Sequence, residues 1–278
     1  MAGTLWLVGT PIGNLGDITE RARNVLRRAD LIACEDTRRT RALLSHLGIE
    51  GKRLVSFFEA NEERRIPELL GRLRDGRDVA VVSDAGMPVL SDPGYRLVAA
   101  CVEQGLPVDV VPGPSAAVAA LVVSGLPTDR FAFEGFLPRK AGARRARLAE
   151  LADDPRTLVL FESPRRVASL LREAAAELGP ERPAAVAREL TKLHQEVVRG
   201  TLGDLVQRFG REELRGEIVV VIAGAPERAA PDFDRLGEEV ERLTEEGLSR
   251  REAVDRVAGE AGASRRQLYE ASLRRRPK

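Results

Sequence analysis

Short apolar, β-branched runs alternate with helix-period segments along most of the chain, and this alternation leaves few folds open. Leu5–Thr10, Leu31–Cys34, Leu54–Phe57, Val79–Ser83 and Val108–Val111 read as strands. Between them, residues 17–29, 37–47, 62–75 and 93–104 carry helix-period patterns. In the first of these, Ile18, Ala22, Val25, Leu26 and Ala29 share one face, with Asp17 or Thr19 placed to cap it. Continuously apolar strands alternating with helices predict a mostly parallel α/β sheet.

Pro112-Gly113-Pro114 ends the fifth strand, and Ser115 can begin a helix. Beyond it, Phe131–Leu137, Leu158–Ser163, Ala185–Glu189 and Ile218–Ala223 read as strands around helices at 115–124, 143–152, 165–178 and 203–209. The expected organisation is an N-terminal α/β domain over 1–113 and a second α/β domain over 114–226. Pro226–Pro231 reads as a linker, followed by a helical, helix-turn-helix-like tail over 232–278. Ser249 and Ser264 stand where N-caps belong, and Gly247 and Gly262 where helices stop. A small helical tail packing on the body or on a second subunit is an equal reading of the same pattern.

Charge and rare residues exclude several functions. Forty-four Lys and Arg against forty-three Asp and Glu argue against a simple polycation wrapped on nucleic acid. Two cysteines build neither a disulfide framework nor a Cys-based zinc site, and two histidines give little material for a metal centre; no metal is expected. No apolar stretch approaches the ~20 residues that span a bilayer. The opening residues lead straight into a strand pattern, so the expectation is a soluble, cytoplasmic protein without membrane contact. Lys52, Lys140, Lys192 and Lys278 are the only lysines among forty-four cations, which singles out Lys140 and Lys192.

Parallel sheets collect ligand loops at the C-terminal ends of their strands. The first such loop, Gly9-Thr-Pro11-Ile-Gly13-Asn-Leu-Gly16, is neither the dinucleotide fingerprint nor a P-loop, yet its glycines let a ligand approach the backbone. The second, Cys34-Glu35-Asp36-Thr37-Arg38, sets two adjacent carboxylates at a strand end, where one cap explains only one of them. The third holds Ser-Asp-x-Gly twice, at Ser83–Gly86 and Ser91–Gly94. Asp84 directly follows a buried run and is the stronger ligand candidate; the Asp92 copy is good turn chemistry. The fourth, Pro112-Gly-Pro-Ser115-Ala116, offers free helix N–H groups. In the second domain Arg188-Glu-Leu-Thr-Lys192 ends a strand, and alternation would set Arg188, Leu190 and Lys192 on one side, suiting a phosphate- or hydroxyl-bearing substrate.

Together with Phe133–Pro138, Glu162-Ser-Pro164 and Gly216-Glu217, these segments resemble, in order, the small-subunit ribosomal RNA methyltransferase I family within the tetrapyrrole methylase superfamily. The chain departs from that pattern at Met87, where Thr is usual, and at Gln195, where Glu is usual; Glu196 or Glu189 would serve if an acid is needed there. The resemblance implies two α/β domains with S-adenosylmethionine bound in the cleft between them, 2′-O-methylation of a cytidine in the decoding centre of 16S rRNA, and a homodimer. Superfamily relatives methylate tetrapyrrole precursors, so a small-molecule methyltransferase is the first alternative and a non-enzymatic ribosome-assembly module the second.

On that basis Pro11, Asp84, Ala85, Gly86, Ser115 and Ala116 are expected to line the cofactor. Glu35, Asp36, Arg38 and Lys192 are expected to face the acceptor, with Glu35 or Asp36 as base and Lys192 lowering the hydroxyl pKa or holding a phosphate. Residues 139–150 hold Arg139, Lys140, Arg144, Arg145 and Arg147 against Glu150 alone, and residues 249–278 hold nine cations and four acids. Residues 227–247 offset them with eight acids and three cations. RNA phosphates, within an assembled small subunit, are the expected partners of the basic tracts. Eleven aromatics in the whole chain argue against an aromatic stacking platform.

Overall fold

Strands β1 (Leu5–Val8), β2 (Leu31–Cys34), β3 (Leu54–Ser56), β4 (Val79–Val82) and β5 (Val108–Val111) form one parallel sheet in the order β3-β2-β4-β1-β5. The computed structural model describes residues 1–210, 214–226 and 232–274. Every residue of β2 and β4 is buried, which follows from helices on both faces. Ile32, Cys34, Ala80 and Val82 point to α1 (Glu20–Arg28) and α2 (Thr37–His46). Leu31, Ala33, Val79 and Val81 point to α3 (Glu62–Arg74) and α4 (Tyr95–Glu103). The period of two along each strand thus sorts its side chains between two half-cores. Thr19 caps α1, accepting from the Ala22 N–H at 3.0 Å. β4 lies between β2 and β1, so the chain reverses its winding beside β1, and the loops after β1, β2, β4 and β5 meet there.

The second sheet, expected only to be α/β, is mixed. It comprises β6 (Phe131–Phe136), β7 (Thr157–Glu162), β8 (Pro183–Arg188), β9 (Glu196–Thr201) and β10 (Ile218–Ile222), ordered β6-β7-β10-β8-β9. Only β6 and β7 pair in parallel; β7–β10, β10–β8 and β8–β9 are antiparallel. The cause is β9, a strand absent from the sequence reading, which returns beside β8 after a short turn. Its half-exposed Glu-Val-Val-Arg-Gly-Thr is an edge strand with too little apolar character to announce itself.

Helices α6 (Ala141–Glu150), α7 (Val167–Leu178) and α8 (Leu202–Phe209) cover one face of this sheet, against Ile218, Val220 and Ile222. Helix α5 (Ala116–Ser124) covers the other, against Val159, Ala187, Val219 and Val221. Ile12, from the loop after β1, is buried in that same cluster. Both sheets belong to one unit, Met1–Ala225.

The remaining unit, Pro226–Lys278, holds α9 (Phe233–Glu245), α10 (Arg250–Ala261) and α11 (Arg265–Arg274) around Val240, Leu243, Val254, Val257 and Leu268. Ser249 and Glu252 form a reciprocal capping box, and Gly262 ends α10 in the left-handed region. The linker residues 227–231 and the last four residues, 275–278, with Arg275, Arg276 and Lys278, lie outside the described residues. Among the described residues no helix is long and apolar enough to cross a membrane.

Candidate active site

The four glycine- and acid-rich loops of the first sheet are joined by their backbones. Thr10 N donates to Gly86 O at 2.9 Å and Gly86 N returns the bond to Thr10 O at 3.1 Å. Gly9 lies so close to Gly113 that a Cβ there would stand 2.7 Å from the Gly113 Cα. Only glycine permits that approach. Gly86 has φ +81°, and Ser115 caps α5 by accepting from the Val118 N–H at 3.5 Å. Asp84, Ala85, Gly86, Ser115 and Ala116 line one cavity of about 340 Å³. Pro11 instead lines an adjoining cavity of about 450 Å³, with Gly13, Leu15, Ala42 and Lys192. Arg39, Asp84 and Glu217 border both cavities.

The two acids after β2 have different work. Asp36 caps α2, accepting from the Arg38 N–H at 2.8 Å, and pairs with the Arg38 guanidinium at 2.7 Å. These bonds hold its carboxyl well below the usual range. Its own N–H donates to Asp84 Oδ1 at 3.1 Å. Asp36 and Arg38 therefore satisfy each other. Glu35 lines the first cavity, and its Oε1 is buried without a hydrogen-bond partner. Burial, then the charges of Asp92 and Asp84, push the Glu35 pKa up to about 7. Asp92 lines the same cavity, and burial with the Asp84 charge raises it to about 6. Arg39 reaches Asp84 at 3.4 Å. The site thus holds a carboxyl poised near neutrality in a largely acidic cavity, with Arg39 as the cation in its lining.

Asp92 reads from sequence as turn chemistry, yet it lines the cavity. The repeated Ser-Asp-x-Gly was the signal for it: Val89 and Ser91, both at positive φ, turn the second copy back into the cavity. Gly135, at φ +58°, permits the matching approach of β6, since a Cβ there would meet Ser91 Oγ at 2.8 Å. Glu162 ends a strand and opens the Glu162-Ser-Pro164 segment of the resemblance, with no role assigned from sequence. It is buried on the cavity wall, with Oε1 taken by Ser163 N and Arg166 Nε and Oε2 without a partner.

The expected alternation of Arg188, Leu190 and Lys192 does not hold. The strand ends at Arg188, and Glu189 and Thr191 take positive φ, so the chain turns at once. Arg188 pairs with Glu196 at 2.9 Å and Leu190 enters the core beneath α5. Lys192 reaches the second cavity, its Nζ 2.8 Å from Glu189 and 3.2 Å from Glu217. Burial lowers its pKa, but the two carboxylates outweigh burial and raise it. Lys192 is a held cation. Gln195, the departure from the family pattern, accepts from the Thr191 N–H at 2.6 Å, while Glu196 and Glu189 are taken up by these ion pairs.

Gly216 seals this cluster. Its φ is +92°, and a Cβ would stand 2.3 Å from Glu189 Oε1, the atom that also receives the Glu217 N–H. Gly216→Ala is expected to cost about 1–3 kcal/mol in a thermal melt, through the strained φ and the displaced carboxylate. A melt identical to that of the parent would refute the packing described.

Of the arginines assigned to RNA, Arg144 is misplaced by the sequence reading. It is 4% exposed and forms a bidentate pair with Glu173 at 2.7 and 2.8 Å, also donating to the carbonyls of Pro138 and Arg139. Charge spacing on a helix does not reveal which cation faces a core. Arg139, Lys140 and Arg145 remain exposed at the start of α6. Arg147 is held by Glu134 and Glu150.

A family model described as Tetrapyrrole (Corrin/Porphyrin) Methylases matches residues 4–206. The chain is 50% identical over 277 residues to Ribosomal RNA small subunit methyltransferase I of Mycobacterium tuberculosis, covering 99% of this chain and 96% of that protein. Against the protein of the same name from Synechocystis sp. the identity is 46% over 273 residues, covering 98% of each. Among solved structures, uroporphyrin-III C-methyl transferase from Thermus thermophilus complexed with S-adenyl homocysteine aligns with a TM-score of 0.55 at 23% identity, over 79% of this chain and 97% of that one. At that identity the likeness is one of fold.

Proposed function

We propose, since the chain belongs to the ribosomal RNA small subunit methyltransferase I family of the tetrapyrrole methylases, that it methylates small-subunit ribosomal RNA with S-adenosylmethionine. The finer reading is transfer to the 2′-hydroxyl of a cytidine in the decoding centre of 16S rRNA, on an assembled subunit. One observation carries it: a partly buried carboxyl, Glu35, lines the first cavity with its pKa near 7, in the company of Arg39 and Asp84, which border both cavities.

The first cavity suits the donor. The positive φ of Gly86 keeps a side chain away from the backbone there, and the start of α5 presents N–H groups. Asp84, Ala85, Gly86, Ser115 and Ala116 would hold it there, with Pro11 at the join to the second cavity. S-adenosylmethionine, when bound, supplies a methyl group already activated on a sulfonium. The protein has then to align the acceptor and exclude water, which is worth about 7–11 kcal/mol in well-oriented reactions. Glu35 takes the hydroxyl proton as the acceptor oxygen attacks. Asp36 holds the start of α2, and thereby Arg39, in place. Lys192, kept charged by Glu189 and Glu217, stabilises negative charge on the acceptor side.

Labelled S-adenosylmethionine offered with small subunits, naked 16S rRNA or a tetrapyrrole acceptor decides the matter. The expected result is label in 2′-O-methylcytidine of the subunit rRNA. Label in the tetrapyrrole, or none anywhere, would overturn the reading.

A further inference from the structure

The structure redraws the distribution of free positive charge. Burial of Arg144 and the pairing of Arg147 weaken the tract on α6 as a phosphate surface. A denser one stands on the first sheet. Helices α1 and α2 turn Ala22, Val25, Leu26 and Leu44 into their half-core and leave their outer faces exposed. Together they carry seven arginines and a single acid, Glu20. Helices α3 and α4, on the opposite face of the same sheet, carry five arginines and four acids. Composition alone would give the two layers similar charge, so the bias belongs to one face.

The two helices are tied side by side, Arg23 Nε donating to Leu47 O at 3.3 Å. On α1, residues 21, 24 and 28 recur at helical spacing and, with Arg27, line an open hollow of about 620 Å³ that contains no acid. Arg27 donates to Asn24, and Arg28 and Arg41 make no ion pair among the described residues. Arg21 has one exposed acid partner, Asp109 at 3.3 Å. At the other end of the tract, Arg39 borders both cavities of the candidate site. Exposed arginines without acid neighbours are suited to phosphates, which the guanidinium fork binds bidentately.

We propose that the outer face of α1 and α2, from Arg39 at the site through Arg41 to Arg27 and Arg28, is a track for the phosphate backbone of the substrate RNA. This rests on the ribosomal RNA reading above. The track holds the strand that flanks the target nucleotide and carries no sequence information of its own.

The test uses the full chain with Arg27→Glu, Arg28→Glu and Arg41→Glu combined, and the milder triple Gln variant should the first fail to fold. Binding to a 16S rRNA fragment and to small subunits is titrated at several salt concentrations, alongside donor affinity, thermal melting and mass in solution. The expected result is a log–log salt slope shallower by about 2, from ~0.7 per lost single-strand contact, and binding about tenfold weaker at low salt. The KM for RNA rises, while donor affinity and melting stay as in the parent. An unchanged slope and affinity would overturn the track, as would a changed oligomeric state accounting for the loss, since the face would then be a contact between copies. If the parent protein itself neither binds nor methylates rRNA, the failure lies with the reading of function instead.

Discussion

Glu35→Gln is expected to slow methyl transfer at saturating donor by about 10²–10⁴-fold, the usual contribution of a positioned base. The same substitution is expected to make the protein more stable at pH 8. In the fold, the Glu35 carboxyl is raised to about 7 from an ordinary 4.5 by burial and by its neighbours Asp92 and Asp84. A raised acid pKa means that the folded state binds the proton more tightly than the unfolded chain. The contribution of Glu35 to stability is then greatest below pH 4.5, falls as pH climbs through 7, and levels off above it. At about 1.4 kcal/mol per unit, ionised Glu35 costs on the order of 1–3 kcal/mol at pH 8. Gln removes that cost, so the melting temperature at pH 8 rises by about 2–4 °C per kcal/mol recovered, with little change at pH 5. Turnover of the parent follows the opposite course, rising with pH through about 7 as the base ionises. Undiminished turnover in the Gln variant would move the base elsewhere, and an unchanged melt at pH 8 would contradict the buried environment.

Arg144→Ala should be the most destabilising of the arginine substitutions among the described residues. Its side chain and that of Glu173 are 5% and 10% exposed, so truncation strands a carboxylate away from water. Removing one partner of a buried pair costs about 3–5 kcal/mol, a fall in melting temperature on the order of 10 °C for a unit this size. The paired change, Arg144→Met with Glu173→Leu, should recover most of the loss, because the stranded charge disappears with its partner. The sequence reading of Arg144 as a phosphate ligand predicts the reverse: parental melting and weaker RNA binding. Calorimetry of the single and double variants separates the two, and a parental melt for Arg144→Ala would reinstate the RNA role.

These cases show where sequence reasoning ran out. The first sheet was legible throughout, because strands buried on both faces are written as unbroken apolar runs. β9 was not, since an edge strand with one wet side carries few apolar residues. The tail helices were legible from their caps, where Ser249 and Gly262 act through local backbone chemistry alone. The placement of Asp84 on the cavity wall was legible because it ends a buried run. Asp92 was missed because its placement depends on two positive-φ residues that no composition rule anticipates. Lys192 stood out by rarity, but its partners Glu189 and Glu217 lie on either side of a chain return between β8 and β10. Contacts between residues distant in the chain decide such sites, and spacing does not record them.

The loop after β1 belongs to one sheet by sequence and to both by packing. Thr10 is bonded to Gly86 of the first sheet, while Ile12, two residues on, is buried among Val159, Val219 and α5 of the second. This loop therefore cannot loosen locally without uncovering part of a core that stabilises the other sheet. Opening it exposes Ile12 to water, so its opening free energy carries a contribution from that second core.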